Sequence, residues 1–107
     1  MLPIEIITQT TQAIAANPSD TKAYLLRAVT LYQMQQYDEA LKDFDTLIDT
    51  FHVEDAEIYQ LRGDLRMKKN DKTGALDDMR HAIALNPELL HQFSGEFRTK
   101  GKRGEEA

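Results

Sequence analysis

An internal repeat with a period of 35 residues constrains the fold of this chain more than any other feature. Residues 21–54 align with residues 56–89 with seven identities in 34 positions, mostly at apolar or small residues. A shift of 69 residues aligns 13–18 with 82–87, where five of six residues are identical. A chain with such a period folds by stacking similar units on one another. The identical pairs of the first alignment are Tyr24/Tyr59, Leu26/Leu61, Arg27/Arg62, Ala40/Ala75, Leu41/Leu76, Asp43/Asp78 and Ile48/Ile83.

Each unit contains two predicted helices. Apolar residues recur at helical spacing, and Pro3 stands in the first turn of the first such stretch. Asn17-Pro18 and Asn86-Pro87 end helices, because the residue before a proline is disfavoured in the helical conformation. No segment alternates with period two over enough residues to predict a strand. The chain is therefore predicted to be all-α, with six helices over residues 3–16, 20–35, 37–50, 55–69, 72–85 and 87–99.

This pattern resembles the tetratricopeptide repeat, a family built from helical hairpins. The resemblance implies a right-handed helical-hairpin solenoid of about two and a half repeats with a C-terminal capping helix. The family's aromatic, small and closing residues correspond to Tyr24, Ala28, Tyr37, Ala40 and Phe44 in repeat one and to Tyr59, Gly63, Ala75, Met79, Ala82 and Pro87 in repeat two. One domain is expected over 1–99, with a half repeat 3–18, repeats 21–54 and 56–89, the capping helix 87–99 and then a disordered tail 100–107.

Repeat one departs from the family pattern. Leu47 stands where a small residue is usual, His52 stands where proline is usual, and the repeat is one residue too long. We therefore expect a looser link across residues 51–55. The flank of the last repeat is expected to be covered by Leu90, Phe93 and Phe97. The residues expected in the core between the helices are Tyr24, Ala28, Ala40, Phe44, Tyr59, Gly63, Ala75, Met79 and Ala82.

Composition excludes several classes of function. The 107 residues include no cysteine, which excludes disulfides, zinc–thiolate centres, iron–sulfur clusters and cysteine nucleophiles. Thirteen Lys and Arg against eighteen Asp and Glu give a net charge of -5, so neither nucleic acid nor an anionic membrane surface is an expected partner. The N-terminus lacks the basic start of a signal peptide, and no apolar run approaches the roughly 18 residues of a membrane span. We therefore expect a cytoplasmic protein.

The sequence offers few candidates for catalysis. Asp77, Asp78 and His81 lie close together on the predicted fifth helix, but no third strong metal ligand accompanies them, and an exposed acidic face with an Asp–His contact is favoured. Ser19 is interpreted as helix-cap chemistry, and Ser94 has no local motif. The scattered glycines form no phosphate-binding loop. We expect no enzymatic activity, no metal and no cofactor.

The resemblance implies a concave groove, lined by the first helix of each pair, that binds a peptide or a partner protein. Family members that clamp a terminal carboxylate use Lys and Asn where this chain has Leu25, Val29 and Leu61, so that ligand is disfavoured. Partial burial in the domain itself is an equally good interpretation of the apolar groove residues, and simple solvation is favoured for Lys22 and Lys68. The groove-facing positions of the family correspond to Lys22, Leu25, Val29, Tyr32, Gln60, Asp64, Met67 and Lys68.

A self-associating assembly module is the alternative function. On the N-terminal helix, Ile6, Thr10 and Ala13 can face the second helix. A second copy of the chain would cover the remaining apolar face in a two-fold homodimer. The isoleucines without obvious cover in the chain are Ile4, Ile7 and Ile14. The sequence does not identify the partner or its pathway.

Overall fold

The structure, a computed structural model, describes residues 1–91. Five α-helices and one π-helical turn follow one another, and no strand occurs within these residues. The elements are α1 (Pro3–Ala16), α2 (Thr21–Gln33), α3 (Tyr37–Asp45), the π-helical turn Thr46–Thr50, α4 (Ala56–Lys68) and α5 (Lys72–Leu85). The bounds of α1 and α5 are as predicted, and α2 ends two residues earlier than predicted.

Each helix packs against the next helix in chain order, from α1 to α5. The core runs along these contacts, and its largest fully buried side chains are Phe44, Leu47 and Leu65. Seven of the nine predicted core residues are buried, and Tyr24 and Met79 are half-buried. Tyr24 is partly open because it lines a surface cleft with residues of α1 and α3. Contacts between chain neighbours give the domain the organisation of a helical repeat solenoid, as predicted.

Equivalent residues begin and end the helices of both repeats. The side chains of Asp20 and Asp55, which precede α2 and α4, each accept a hydrogen bond from a backbone N–H of the first turn. Asp71 caps α5 in the same way. After α2 and α4 the chain turns at residues with positive φ, Gln35 at 62° and Asn70 at 65°. This left-handed conformation ends a helix and directs the chain into the second helix of each hairpin.

Small residues let the two helices of each hairpin approach closely. Ala28 on α2 and Ala40 on α3 are fully buried where these helices meet. In repeat two, a Cβ atom placed on Gly63 would lie 3.2 Å from the Cβ atom of Asp78 and 3.3 Å from the carbonyl oxygen of Ala75. The space at Gly63 is therefore filled by the neighbouring helix, as its predicted core position requires.

An arginine–aspartate pair closes each hairpin at equivalent positions. Arg27 on α2 donates from Nε and Nη2 to the two carboxylate oxygens of Asp43, at 2.8 Å each. Arg62 on α4 donates in the same way to Asp78, at 2.9 and 2.8 Å. Two parallel hydrogen bonds fix both the distance and the orientation of the paired groups. The first and second helices of each repeat are therefore joined by the same two-point contact.

The same arginines also bind the preceding unit. Nη1 of Arg27 lies 3.2 Å from the hydroxyl of Thr11 on α1, and Nη1 of Arg62 lies 3.2 Å from Asp45 on α3. Burial lowers the pKa of Arg62, but the hydrogen bond and the charge of Asp78 outweigh this effect and raise it above its ordinary value. Arg62 is therefore a permanent cation that joins α3, α4 and α5.

A π-helical turn follows α3 in the repeat that has the extra residue. The backbone N–H of Phe51 donates to the carbonyl of Thr46, five residues earlier, at 3.1 Å. A π turn contains one residue more than an α turn. The N–H of Val53 then donates to the carbonyl of Leu47 at 3.0 Å, and Leu47 is itself buried. These hydrogen bonds tie the start of the link to the turn before it. The looser connection across residues 51–55 stays a prediction.

The chain turns in the same way after α1 and after α5. The side chain of Asn17 accepts a hydrogen bond from the backbone N–H of Ser19 at 3.1 Å. The side chain of Asn86 accepts one from Glu88 at 3.3 Å. This agreement explains the sequence match at a shift of 69 residues.

Residues 89–91 return to the helical conformation after this turn. Leu89 is 7% exposed and belongs to the core, whereas Leu90, which was predicted to cover the last repeat, is 52% exposed. Successive helical residues are rotated by about 100°, so a helix that turns Leu89 inward turns Leu90 outward. Phe93, Phe97, the rest of the predicted capping helix and the predicted tail lie outside the described residues.

Candidate functional site

Helices α2 and α4, the first helices of the two repeats, lie on either side of a groove. We define this α2–α4 groove by Leu25, Val29 and Tyr32 on α2 and by Leu61 and Asp64 on α4. Leu25 and Val29 are one helical turn apart, and both are half-buried. Leu61 on the opposite wall is half-buried as well. The groove therefore has an apolar floor that remains open to solvent.

One end of the groove is polar. The Tyr32 hydroxyl on α2 donates a hydrogen bond to Asp64 Oδ2 on α4 and so joins the two walls. Burial, together with this hydrogen bond to a carboxylate, raises the pKa of Tyr32 to about 12. Lys68 Nζ lies 3.9 Å from Asp64 Oδ2 and 5.4 Å from the centre of the Tyr37 ring. The charged groups at this end are therefore already engaged with one another.

The other end of the groove contains a cavity of about 90 Å³. Four apolar side chains form its floor, and two carboxylate side chains from the start of α4 stand beside them. Asp55 Oδ1 accepts hydrogen bonds from the backbone N–H groups of Glu57 at 2.8 Å and Ile58 at 3.4 Å. The lining residues are Leu25, Val29, Asp55, Glu57, Ile58 and Leu61.

Four of the eight residues predicted to line the groove come together in it: Leu25, Val29, Tyr32 and Asp64. Lys68 lies beside Asp64, and Lys22 is exposed one turn before Leu25. Gln60 and Met67 do not line the cavity, and Met67 is 50% exposed. Both share a face of α4 that is rotated by about 100° from Leu61, because Gln60 is its immediate neighbour in the helix.

Four residues that line the cavity were not among the predicted groove residues: Asp55, Glu57, Ile58 and Leu61. Leu61 was one of the identical pairs of the repeat, matched with Leu26, and stood at a carboxylate-clamp position of the family, but it was not listed among the groove residues. Asp55 caps α4 and at the same time lies beside the cavity. No feature of the sequence near Glu57 indicated a site.

The groups considered for catalysis have structural partners. Asp78 is buried and binds Arg62, as described above. The ring of His81 stacks on Tyr59, with centroids 4.0 Å apart, and its Nε2 lies 3.1 Å from Glu54 Oε2. Within residues 1–91, no group of three potential ligands is arranged to hold a metal ion.

The remaining predictions concern the two serines and the location of the protein. Ser19 was interpreted as helix-cap chemistry, but the side chain that caps α2 is that of Asp20, and the backbone N–H of Ser19 donates a hydrogen bond to the side chain of Asn17. Ser94 lies outside the described residues. Among residues 1–91, no helix has the length and apolar character needed to cross a membrane. The cytoplasmic location stays a prediction.

The N-terminal helix leaves one of its three predicted contact isoleucines largely open. Ile4 is 59% exposed. Ile7 and Ile14 are half-buried, so both have more cover than predicted. Ile7 lies in a cleft of about 410 Å³ that includes Tyr24 and Leu31 of α2 and extends to residues of α3. The chain itself therefore covers part of the surface that the homodimer was expected to cover.

The helical hairpins are stacked, each is closed by an equivalent arginine–aspartate pair, and their first helices border a groove. These features define a helical repeat solenoid. The family model of the tetratricopeptide repeat matches residues 8–49 and 25–89. The chain therefore belongs to the tetratricopeptide repeat family. No curated protein sequence matches it. Tetratricopeptide repeats generally mediate protein–protein interactions, and the family is typically non-catalytic.

Proposed function

We propose that this protein is a non-catalytic adaptor that binds a peptide, or an extended segment of a partner protein, in the α2–α4 groove. The proposal depends on one observation, the apolar cavity between the walls, where Leu25, Val29 and Leu61 are covered only in part. Covering apolar surface is favourable by about 25 cal/mol per Å². A bound segment with an apolar side chain in the cavity would gain this energy.

The framework around the groove supports the proposal. Arg27 and Arg62 hold the two hairpins, and the Tyr32–Asp64 hydrogen bond joins the walls. A site whose walls are held before binding loses little conformational entropy when a ligand arrives. The groove can therefore bind a short segment without first being ordered by it.

Selection from a display library of random dodecapeptides against the full chain tests the proposal. Peptides enriched on the wild type should bind the Leu25→Glu variant at least about tenfold more weakly, because a carboxylate replaces apolar floor in the cavity. Leu76→Glu is the matched control, because Leu76 is 48% exposed on α5, outside the groove. Circular dichroism must show both variants folded. No enrichment, or equal binding to all three proteins, would contradict the proposal.

Self-association through α1 is the second candidate function. Ile4 at 59% exposure continues the exposed apolar residues Leu2 and Met1. Contiguous exposed apolar surface often marks an interaction site, and a two-fold dimer would pair this surface with its own copy. Sedimentation equilibrium at several micromolar concentrations would then show a dimer that Ile4→Glu dissociates and Leu76→Glu does not. A monomer at every concentration would contradict this candidate and leave the groove proposal unaffected.

A further inference from the structure

We infer that the cavity at the start of α4 is a subsite for a basic side chain, Arg or Lys, of the peptide in the α2–α4 groove. The inference rests on the proposed function and adds the chemistry of the partner. It depends on the size of the cavity, on its lining of apolar side chains and two carboxylates, and on the absence of cationic partners for these carboxylates within residues 1–91.

The cavity has room for an aliphatic stem. Its volume of about 90 Å³ is several times the roughly 10–15 Å³ that one water molecule needs. Lys and Arg carry three or four methylene groups and lay them along apolar surface while the charged head stays in water. Leu25, Val29, Ile58 and Leu61 provide that surface.

Two carboxylates stand where the charged head would emerge. Asp55 is held in place, because its Oδ1 accepts two backbone hydrogen bonds. Within residues 1–91, neither Asp55 nor Glu57 forms a salt bridge, whereas ten other carboxylates do. A guanidinium or ammonium group would therefore gain two anionic neighbours without displacing a cation of the described chain.

The positive charges near the cavity do not cancel the negative charge of these two carboxylates. The N-terminus of α4 contributes about half an elementary charge. Lys22 lies on α2 one turn before Leu25 and forms no salt bridge with Asp55 or Glu57. Residues 1–91 contain nine Lys and Arg and fifteen Asp and Glu, a net charge of -6, so the wider field also favours a cation.

Asp64, the other acid of the groove, is a poorer candidate. It already accepts a hydrogen bond from Tyr32 and lies near Lys68. Selectivity for a basic residue is therefore assigned to Asp55 and Glu57. An aliphatic side chain such as leucine fits the same floor but gives neither carboxylate a cationic partner, so it is expected to bind more weakly.

The dodecapeptide selection described above also provides the test. Enriched peptides should share an Arg or Lys beside apolar residues. Their affinity should fall by about 5- to 30-fold for the double variant Asp55→Asn/Glu57→Gln, which corresponds to losing two exposed charge pairs. Asparagine keeps the helix cap, so the fold is preserved. Asp20→Asn makes the same change at the equivalent cap of α2, outside the cavity, and should change affinity less than twofold.

Two further measurements separate the outcomes. Lys22→Gln should strengthen binding of the basic peptides, and raised salt should weaken it in the wild type more than in the double variant. Enriched peptides that are acidic or purely aliphatic, or that bind the double variant unchanged, would overturn the inference and leave the groove function standing. Failure to enrich any peptide would overturn both.

Discussion

Replacing Asp78 by asparagine should destabilise the protein by about 3 kcal/mol. The change keeps the shape of a side chain that is 3% exposed and removes its charge. Arg62, whose side chain is 8% exposed, then keeps Asp45 at 3.2 Å and Asp49 at 3.6 Å as its carboxylates within residues 1–91. Removing one partner of a buried ion pair costs about 3–5 kcal/mol. The two remaining carboxylates place the expected loss at the lower end of that range.

The equivalent pair of repeat one is the control, with the difference that Asp78 also lies 3.2 Å from Arg66 Nη1, whereas Asp43 pairs with Arg27 alone within residues 1–91. Arg27 and Asp43 have the same two-point geometry, but the Arg27 side chain is 21% exposed. Water can therefore solvate Arg27 after Asp43→Asn, and the expected loss is about 1–2 kcal/mol. Urea unfolding followed by far-ultraviolet circular dichroism gives the free energy of unfolding of both variants and the wild type.

A double variant tests the reasoning further. Arg62→Met with Asp78→Leu removes both buried charges, so it should lose less stability than Asp78→Asn alone. Equal losses for Asp78→Asn and Asp43→Asn would show that burial of Arg62 does not determine the effect. A loss below about 1 kcal/mol for Asp78→Asn would show that the pair does not hold the hairpin.

Three other predictions use the same unfolding assay. Phe44→Ala should cost about 3–5 kcal/mol because Phe44 is fully buried, and a loss below about 1 kcal/mol would place it outside the core. Leu89→Ala should cost about 2–4 kcal/mol and Leu90→Ala less than about 0.5 kcal/mol, and the reverse order would contradict the helical turn after α5. The pKa of Tyr32 is raised from 10.0 to about 12. The stability that Tyr32 contributes to the folded protein is therefore complete below pH 10 and is lost as the pH rises toward 12. Tyr32→Phe should therefore lose less stability over that interval, and parallel curves would contradict the raised pKa of Tyr32.

The sequence by itself determined the helices and their repeat. Proline positions and apolar spacing are local signals, so the bounds of α1 and α5 followed from short stretches of chain, and those of α2 and α4 followed to within two residues. Small residues at Ala28, Ala40 and Gly63 also predicted where helices approach closely. The identities of Arg27 with Arg62 and of Asp43 with Asp78 were visible, but not their bonds, because each pair joins residues 16 positions apart on different helices.

Only the tertiary structure decided how the units meet. The extra residue of repeat one coincides with a π-helical turn. In this turn the backbone N–H of Phe51 donates to the carbonyl five residues earlier, one residue further back than in an α-helix. The cover over Ile7 and the inward position of Leu89 depend on the angles between helices, which apolar spacing within one helix does not specify. The cavity beside Asp55 and Glu57 forms between α2 and α4, so its lining is set by two segments that are adjacent in space and distant in the chain.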